Sequence, residues 1–179
     1  MAALVLIQKS REELARVADV DYARLAAFID GEGCIRIRRQ RPPGRKTKTF
    51  HYDLELTVSN TDMRLLTWLR ETFGGTVFLV QKVQYQPRRR EGFYWRCRSS
   101  LAGYILERCF RFFIIKADQA DTALGFQKLK IDWRRNLRFQ NQPGVRKRRE
   151  INRYVQELCH RVITKLKDSA SAGDLQYAH

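Results

Sequence analysis

Apolar and polar positions along the chain change period several times, and each change predicts an element. Ser10 followed by Glu13 in "SREELARVA" predicts a capping box opening a short helix. From Asp19 or Asp21 through Asp30, "DVDYARLAAFID" sets apolar side chains at helical spacing, with Gly31 and Gly33 expected to stop the helix. The period then falls to two. In "CIRIRRQ", Ile35 and Ile37 alternate with Cys34, Arg36, Arg38 and Gln40, which predicts a strand with one face on a core. After the loop "RPPGRKTKT", the segment "HYDLELTVSN" alternates again, with Leu54, Leu56 and Val58 opposite Asp53, Glu55, Thr57 and Ser59. Asp62 caps a predicted helix "MRLLTWLRETF" closed by Gly74 and Gly75. "TVFLVQKVQYQ" and "FYWRCRS" follow as a hairpin around "PRRREG", with Tyr94, Arg96 and Arg98 facing one way and Trp95 and Cys97 the other. In the third strand either Leu79 and Gln81 or Lys82 and Gln84 point outward. Ser99 or Ser100 starts "LAGYILERCFRFF", then come "ADQADTALGFQKLKIDW" and a last helix "REINRYVQELCHRVITKLK". The order is helix, hairpin, helix, hairpin, helices: an α+β class of the form αββαββα with extra C-terminal helices.

Composition narrows the partners. Among 179 residues, 35 Lys and Arg stand against 19 Asp and Glu, a formal net charge of +16, while 44% hydrophobic residues suffice for a packed core. The charge is clustered: residues 34–49, 82–98 and 128–150 hold 22 of the 35 cations, and the first block has no acid. Solubility alone needs no acid-free block, so the clustering predicts a polyanion, and nucleic acid ahead of an anionic membrane because no basic helix has a long apolar face. The four cysteines lie far apart without a CxxC pair, and three histidines are too few for a His-centred nuclease motif. No apolar run is long enough to cross a bilayer and the N-terminus lacks a signal peptide, so a soluble intracellular protein, in cytoplasm or organelle with access to genomic DNA, is expected.

Residues 25–33 read Leu25-Ala26-Ala27-Phe28-Ile29-Asp30-Gly31-Glu32-Gly33. Ala23, Ala27 and Gly31 recur every four positions, lining small side chains down one helix face so that another helix can approach. Asp30 and Glu32 stand at the helix end, where a carboxylate with a backbone carbonyl suits Mg²⁺, a hard cation that keeps several waters. "LAAFIDGEG" resembles the defining motif of the LAGLIDADG homing endonucleases, with Ala27 where Gly is usual and Glu32 where many members have Asp. The resemblance covers roughly residues 19–130 and implies the αββαββα fold with a curved antiparallel sheet lying on DNA. "LAGYILERC" from Leu101 lacks the acid-glycine ending, so the chain carries one motif and one motif acid. Cutting both strands then calls for a homodimer, with Ala23, Ala27 and Asp30 at its interface and a roughly palindromic target.

What the resemblance implies further is a site-specific double-strand endonuclease, encoded in an intron and hydrolysing phosphodiesters with Mg²⁺, for which Mn²⁺ or Ca²⁺ could stand in. Glu32 and the Gly31 carbonyl would hold the metal, Lys116 would be the active-site lysine, Asn60 would order water, and Arg64 would supply a cation near the scissile phosphate. The outward strand residues Cys34, Arg36, Arg38, Gln40, Asp53, Glu55, Thr57, Tyr94, Arg96 and Arg98 would read base edges, Arg pairing with guanine, Gln with adenine and the acids with cytosine. Lys46, Lys48, Arg88, Arg89, Arg146, Lys147, Arg148 and Arg149 would clamp phosphates. The alternative on the same fold is an intron-splicing maturase, with intron RNA as partner, or a non-cleaving DNA-binding regulator. One endonuclease domain is expected over 1–167, with its core at about 19–130, a basic loop and helix over 131–167, and a flexible tail over 168–179.

Overall fold

The computed structural model describes residues 6–41, 50–80, 92–136 and 145–173. α1 (Arg11–Ala15) opens on the expected capping box: Ser10 Oγ accepts from the Glu13 N–H at 3.2 Å, and the Glu13 carboxylate accepts from the Ser10 N–H at 2.8 Å. α2 (Asp19–Glu32) leads directly into β1 (Gly33–Gln40), and β2 (His51–Asn60) returns beside it. α3 (Met63–Phe73), β3 (Thr76–Val80) and β4 (Gly92–Arg98) form the second half. α4 (Ser99–Cys109), a single 3₁₀ turn at Phe110–Phe112, α5 (Ala117–Asn136) and α6 (Val145–Gly173) complete the chain. The anticipated α+β order holds. α6 is longer than its apolar pattern suggested, starting before Arg149 and running past Lys167, so residues 168–173 are helical where a tail was expected.

The four strands form one antiparallel sheet in the order β1-β2-β4-β3. Ile35, Ile37, Leu54, Leu56, Val58, Val77, Trp95 and Cys97 are buried on one face, where they join Leu25, Ala26 and Ile29 of α2, Ile105 and Leu106 of α4 and Phe126 of α5 in a single core. The alternation therefore assigns the faces correctly. In the third strand Val77 pairs with buried Trp95, and Leu79, opposite Phe93, shares its parity but is 36% exposed; Thr76, Phe78 and Val80 fall on the polar face. Gln81, Lys82 and Gln84 lie outside the described residues, as does the hairpin turn.

Two glycine positions fix the ends of these elements. At Gly75, φ is +91°, and a Cβ would lie 2.6 Å from the Arg96 carbonyl oxygen; this close approach lets Gly75 exchange backbone hydrogen bonds with Ile7 and the Trp95 indole donate to the Gly74 carbonyl at 2.7 Å. Gly33, not Gly31, ends α2. Its backbone is extended, and a Cβ there would come within 2.5 Å of Ile29 Cα and 3.0 Å of the Thr57 oxygen, so only glycine lets β1 begin against both α2 and β2. Gly31 is helical because the core contact of Ile29 and the hydrogen bond from Gly33 N–H to the Ile29 oxygen carry the last turn past it.

α6 runs along edge strand β1. His160 Nδ1 lies 2.6 Å from the Ile37 carbonyl, Lys167 Nζ donates to Cys34 Sγ at 2.9 Å, Tyr52 hydrogen-bonds Glu157, and Ile163 is buried. An uncovered edge would be a template for unwanted pairing, and α6 occupies it. All four cysteines are free thiols, and burial pushes the Cys109 thiol up to about 12, in keeping with structural roles.

Candidate active site and nucleic-acid interface

The site forms where α2 ends, β1 begins and β2 finishes. Glu32 projects from the last helical residue and is exposed; Asn60, the last residue of β2, donates from Nδ2 to Glu32 Oε2 at 2.7 Å. The Asn60 side-chain Oδ1 accepts from the Asp62 N–H at 2.8 Å, and Asp62 caps α3 by accepting from the Arg64 N–H at 2.8 Å. Arg64 then closes on Asp62 in a fork, with Nη2 at 2.6 Å, which holds the Asp62 carboxyl at about 2. Glu32, Asn60 and Arg64 thus lie on one hydrogen-bonded chain, Arg64 being reached through Asp62. The Arg64 side chain is itself 91% exposed.

Lys116 comes to the same helix end from the far side of the sequence. Its ammonium donates to the carbonyls of Ile29 and Asp30, both at 2.6 Å, where the negative end of the helix favours a cation. Burial lowers its affinity for its proton, with the nearby Asp30 acting in the opposite sense. It stands beside the motif, yet its ammonium is engaged with backbone oxygen and not with Glu32.

Asp30, expected at a dimer interface, is held by hydrogen bonds within its own chain. Its carboxylate accepts from the backbone N–H groups of Ile114, Ile115 and Lys116 at 2.8, 3.3 and 2.9 Å, fastening the segment before α5 to the end of α2. The small-residue face stays available: Ala27 and Gly31 are exposed, Ala23 is half-buried, and a Cβ on Gly31 would meet nothing within 4 Å. Next to it Ile114 and Ile115 are 88% and 68% exposed. Sequence reasoning missed this pair, whose only signal is two aliphatic residues just after "FRFF" and before Lys116.

Among the described residues no group of three or more His, Cys, Asp and Glu side chains is gathered to hold a metal. One chain offers a single carboxylate, Glu32, with the carbonyl of Gly31 beside it. This sparse all-oxygen set fits a hard cation such as Mg²⁺ that retains most of its waters, and a second copy of the site would double it.

On the polar face, Arg36, Glu55 and Arg98 lie in one row across β1, β2 and β4, and Cys34, Thr57, Arg96 and Thr76 lie in the next. Phe78 and Tyr94 stack at 5.1 Å between ring centroids, and the Arg96 guanidinium lies 4.0 Å from the Phe78 ring centroid. Arg36, Arg38 and Gln40 share this face as expected. Two acids do not behave as predicted. Asp53 is engaged by Lys130 of α5 and accepts from Ser99 Oγ at 2.6 Å, because β4 stops short of it and α5 reaches round the end. Glu55 is fully buried beneath arginines, so it is not placed to accept from cytosine. Lys46, Lys48, Arg88 and Arg89, and the side chains of Arg146, Lys147, Arg148 and Arg149, lie outside the described residues.

Residues 25–114, half of the chain, match the family model described as LAGLIDADG endonuclease. The chain belongs to this family. The endonuclease also shares its fold with solved structures of low identity. One is the homing endonuclease I-CvuI in complex with the I-CreI target in the presence of Mg, with a TM-score of 0.57, 18% identity and 82% of each chain covered. The same enzyme with its own target in the presence of Ca gives 0.53 and 17%, covering 86% of this chain and 96% of that one. The group I intron-encoded homing endonuclease I-CeuI complexed with DNA gives 0.50 and 15%, over 70% of this chain and 60% of that one. A comparison with curated proteins gave no match. No helix among the described residues is long and apolar enough to cross a membrane.

Proposed function

We propose that the endonuclease, as an intron-encoded homodimer, makes a Mg²⁺-dependent double-strand break at a long, roughly palindromic DNA site, with residues 1–167 acting as one domain. One observation carries the reading. The exposed Glu32 carboxylate, with one oxygen held by Asn60, stands at the end of a helix whose small-residue face is exposed beside Ile114 and Ile115. Apolar groups so exposed favour burial against a second copy, and two-fold symmetry would set two Glu32 carboxylates close together.

Bound divalent metal would supply charge neutralisation at the scissile phosphate and lower the pKa of its water. The chain's own residues have separable tasks. Glu32 and the Gly31 carbonyl bind the ion, and Asn60 orients the carboxylate by its hydrogen bond. Lys116 stabilises the helix end that carries both, and its ammonium offers positive charge close to the site. Arg64, highly exposed but forked onto Asp62, could reach a phosphate by exchanging that partner. Arginines on the polar face meet the duplex, with the loop and α6 cations as phosphate contacts.

The partner class is tested by sedimentation of the full chain with a duplex selected from a random pool, with intron RNA as competitor. Two chains per duplex, undisplaced by equimolar RNA, are expected. One chain per duplex would remove the dimer, and displacement by RNA would favour a splicing role.

A further inference from the structure

The polar face of the sheet is organised around an acid that does not reach solvent. Glu55 is 0% exposed, and four guanidinium groups surround its carboxylate. Arg36 grips Oε1 through Nη2 and through Nε at 2.6 Å, and Arg98 Nε donates to Oε2 at 2.5 Å. Arg38 Nη1 and Arg96 Nε approach Oε2 only to 3.7 and 3.9 Å, within ion-pair range but beyond a hydrogen bond. Burial pushes the Glu55 carboxyl up, but the bonds from Arg36 and Arg98 outweigh it and leave it below the ordinary carboxylate range.

The four arginines therefore divide in two. Arg36 and Arg98 have committed their Nε edges to the acid. Arg98 Nη2 is buried without a partner among the described residues, a donor left over from that commitment. Arg38 and Arg96 have committed no hydrogen bond to Glu55, and they sit on opposite sides of it, on β1 and β4. Arg96 is further held by the Phe78 ring. With four cations and one anion the cluster keeps a net charge of +3. Without the anion, the guanidinium groups that converge over β2 from β1 and β4, the strands on either side of it, would repel and splay.

We propose that Glu55 is a positioning residue for base recognition: it touches no DNA, locks Arg36 and Arg98 around itself, and thereby sets Arg38 and Arg96 as a fixed pair whose donor forks each take a guanine. Guanine is the base whose O6 and N7 match the planar fork. The inference rests on the reading of this face as the DNA interface, and it changes the expected role of Glu55 from reader of cytosine to organiser of arginines.

The test is selection of bound sequences from a random duplex pool in Ca²⁺ with the full chain and its variants, alongside affinity for an unselected duplex. The unmodified protein should prefer guanine by roughly 5- to 150-fold at two positions in each half-site. Arg38→Gln and Arg96→Gln should each erase one of them. Glu55→Gln should weaken both together, while affinity for unselected duplex rises and its salt slope steepens by about one unit, because a cation has been released to phosphate. A merely structural residue would lower binding to every duplex alike. If Glu55→Gln fails to fold by circular dichroism, the double variant with Arg36→Gln restores the net +3 and should show the same joint loss. Retention of both preferences in whichever variant folds overturns the proposal, as does a cytosine preference erased only by changing Glu55. If the unmodified protein binds no duplex at all, the interface itself is wrong.

Discussion

Glu32→Gln is expected to reduce cleavage of a selected target by a factor on the order of 10³ or more while leaving its affinity for that target nearly unchanged. The amide keeps the shape of the carboxylate and an oxygen able to accept from Asn60 Nδ2, so the 2.7 Å contact that orients it survives. The residue is exposed at a helix end, so folding stability should move by less than about 0.5 kcal/mol. Only the negative charge is lost, and that charge is what would hold a divalent cation against the phosphate. Cleavage assayed in Mg²⁺ and binding assayed in Ca²⁺ separate the two effects. Cutting at the parental rate would remove Glu32 from the metal site.

The second large effect is electrostatic. A chain of net charge +16 whose polar face centres on Arg36, Arg38, Arg96 and Arg98 should release many counterions from DNA. If ~6–10 phosphates are contacted, affinity should fall by about 10³–10⁵ between 50 and 200 mM salt. Fluorescence anisotropy of a labelled duplex measures it. A flat dependence would mean that the basic blocks are a solvated surface and that binding rests on other contacts.

Much of this was legible before the structure, and particular residues show why. Ile35 and Ile37, Leu54 to Val58, and Trp95 with Cys97 obey a period of two because one side of the sheet must be buried, and the structure buries them. Ser10, Asp62, Gly74 and Gly75 punctuate the chain through local chemistry and sit where expected. The motif at 25–33 brought Glu32 to a helix end, and the Glu32–Asn60 contact spans 28 residues of sequence because the β1–β2 hairpin returns to its start. What could not be read depends on partners distant in sequence. Alternation places Glu55 on the polar face but says nothing of a lid made by Arg36 and Arg98 from two other strands. Asp30 faces the segment from Ile114 to Lys116, some 85 residues later, and is spent there. The resemblance implies an active-site role for Lys116, but its grip on the Ile29 and Asp30 carbonyls is a tertiary fact. The boundary of α2 slipped for the same reason, since packing on Ile29 extends the helix beyond its own signal, while α6 runs past its apolar pattern at both ends.

The most direct test of the central claim uses a supercoiled plasmid carrying one sequence selected from a random duplex pool by the full chain. With Mg²⁺, conversion to a single linear product is expected, both strands cut inside that sequence, and no product once the metal is chelated. A plasmid that is bound at the selected sequence but never linearised in Mg²⁺ would contradict it.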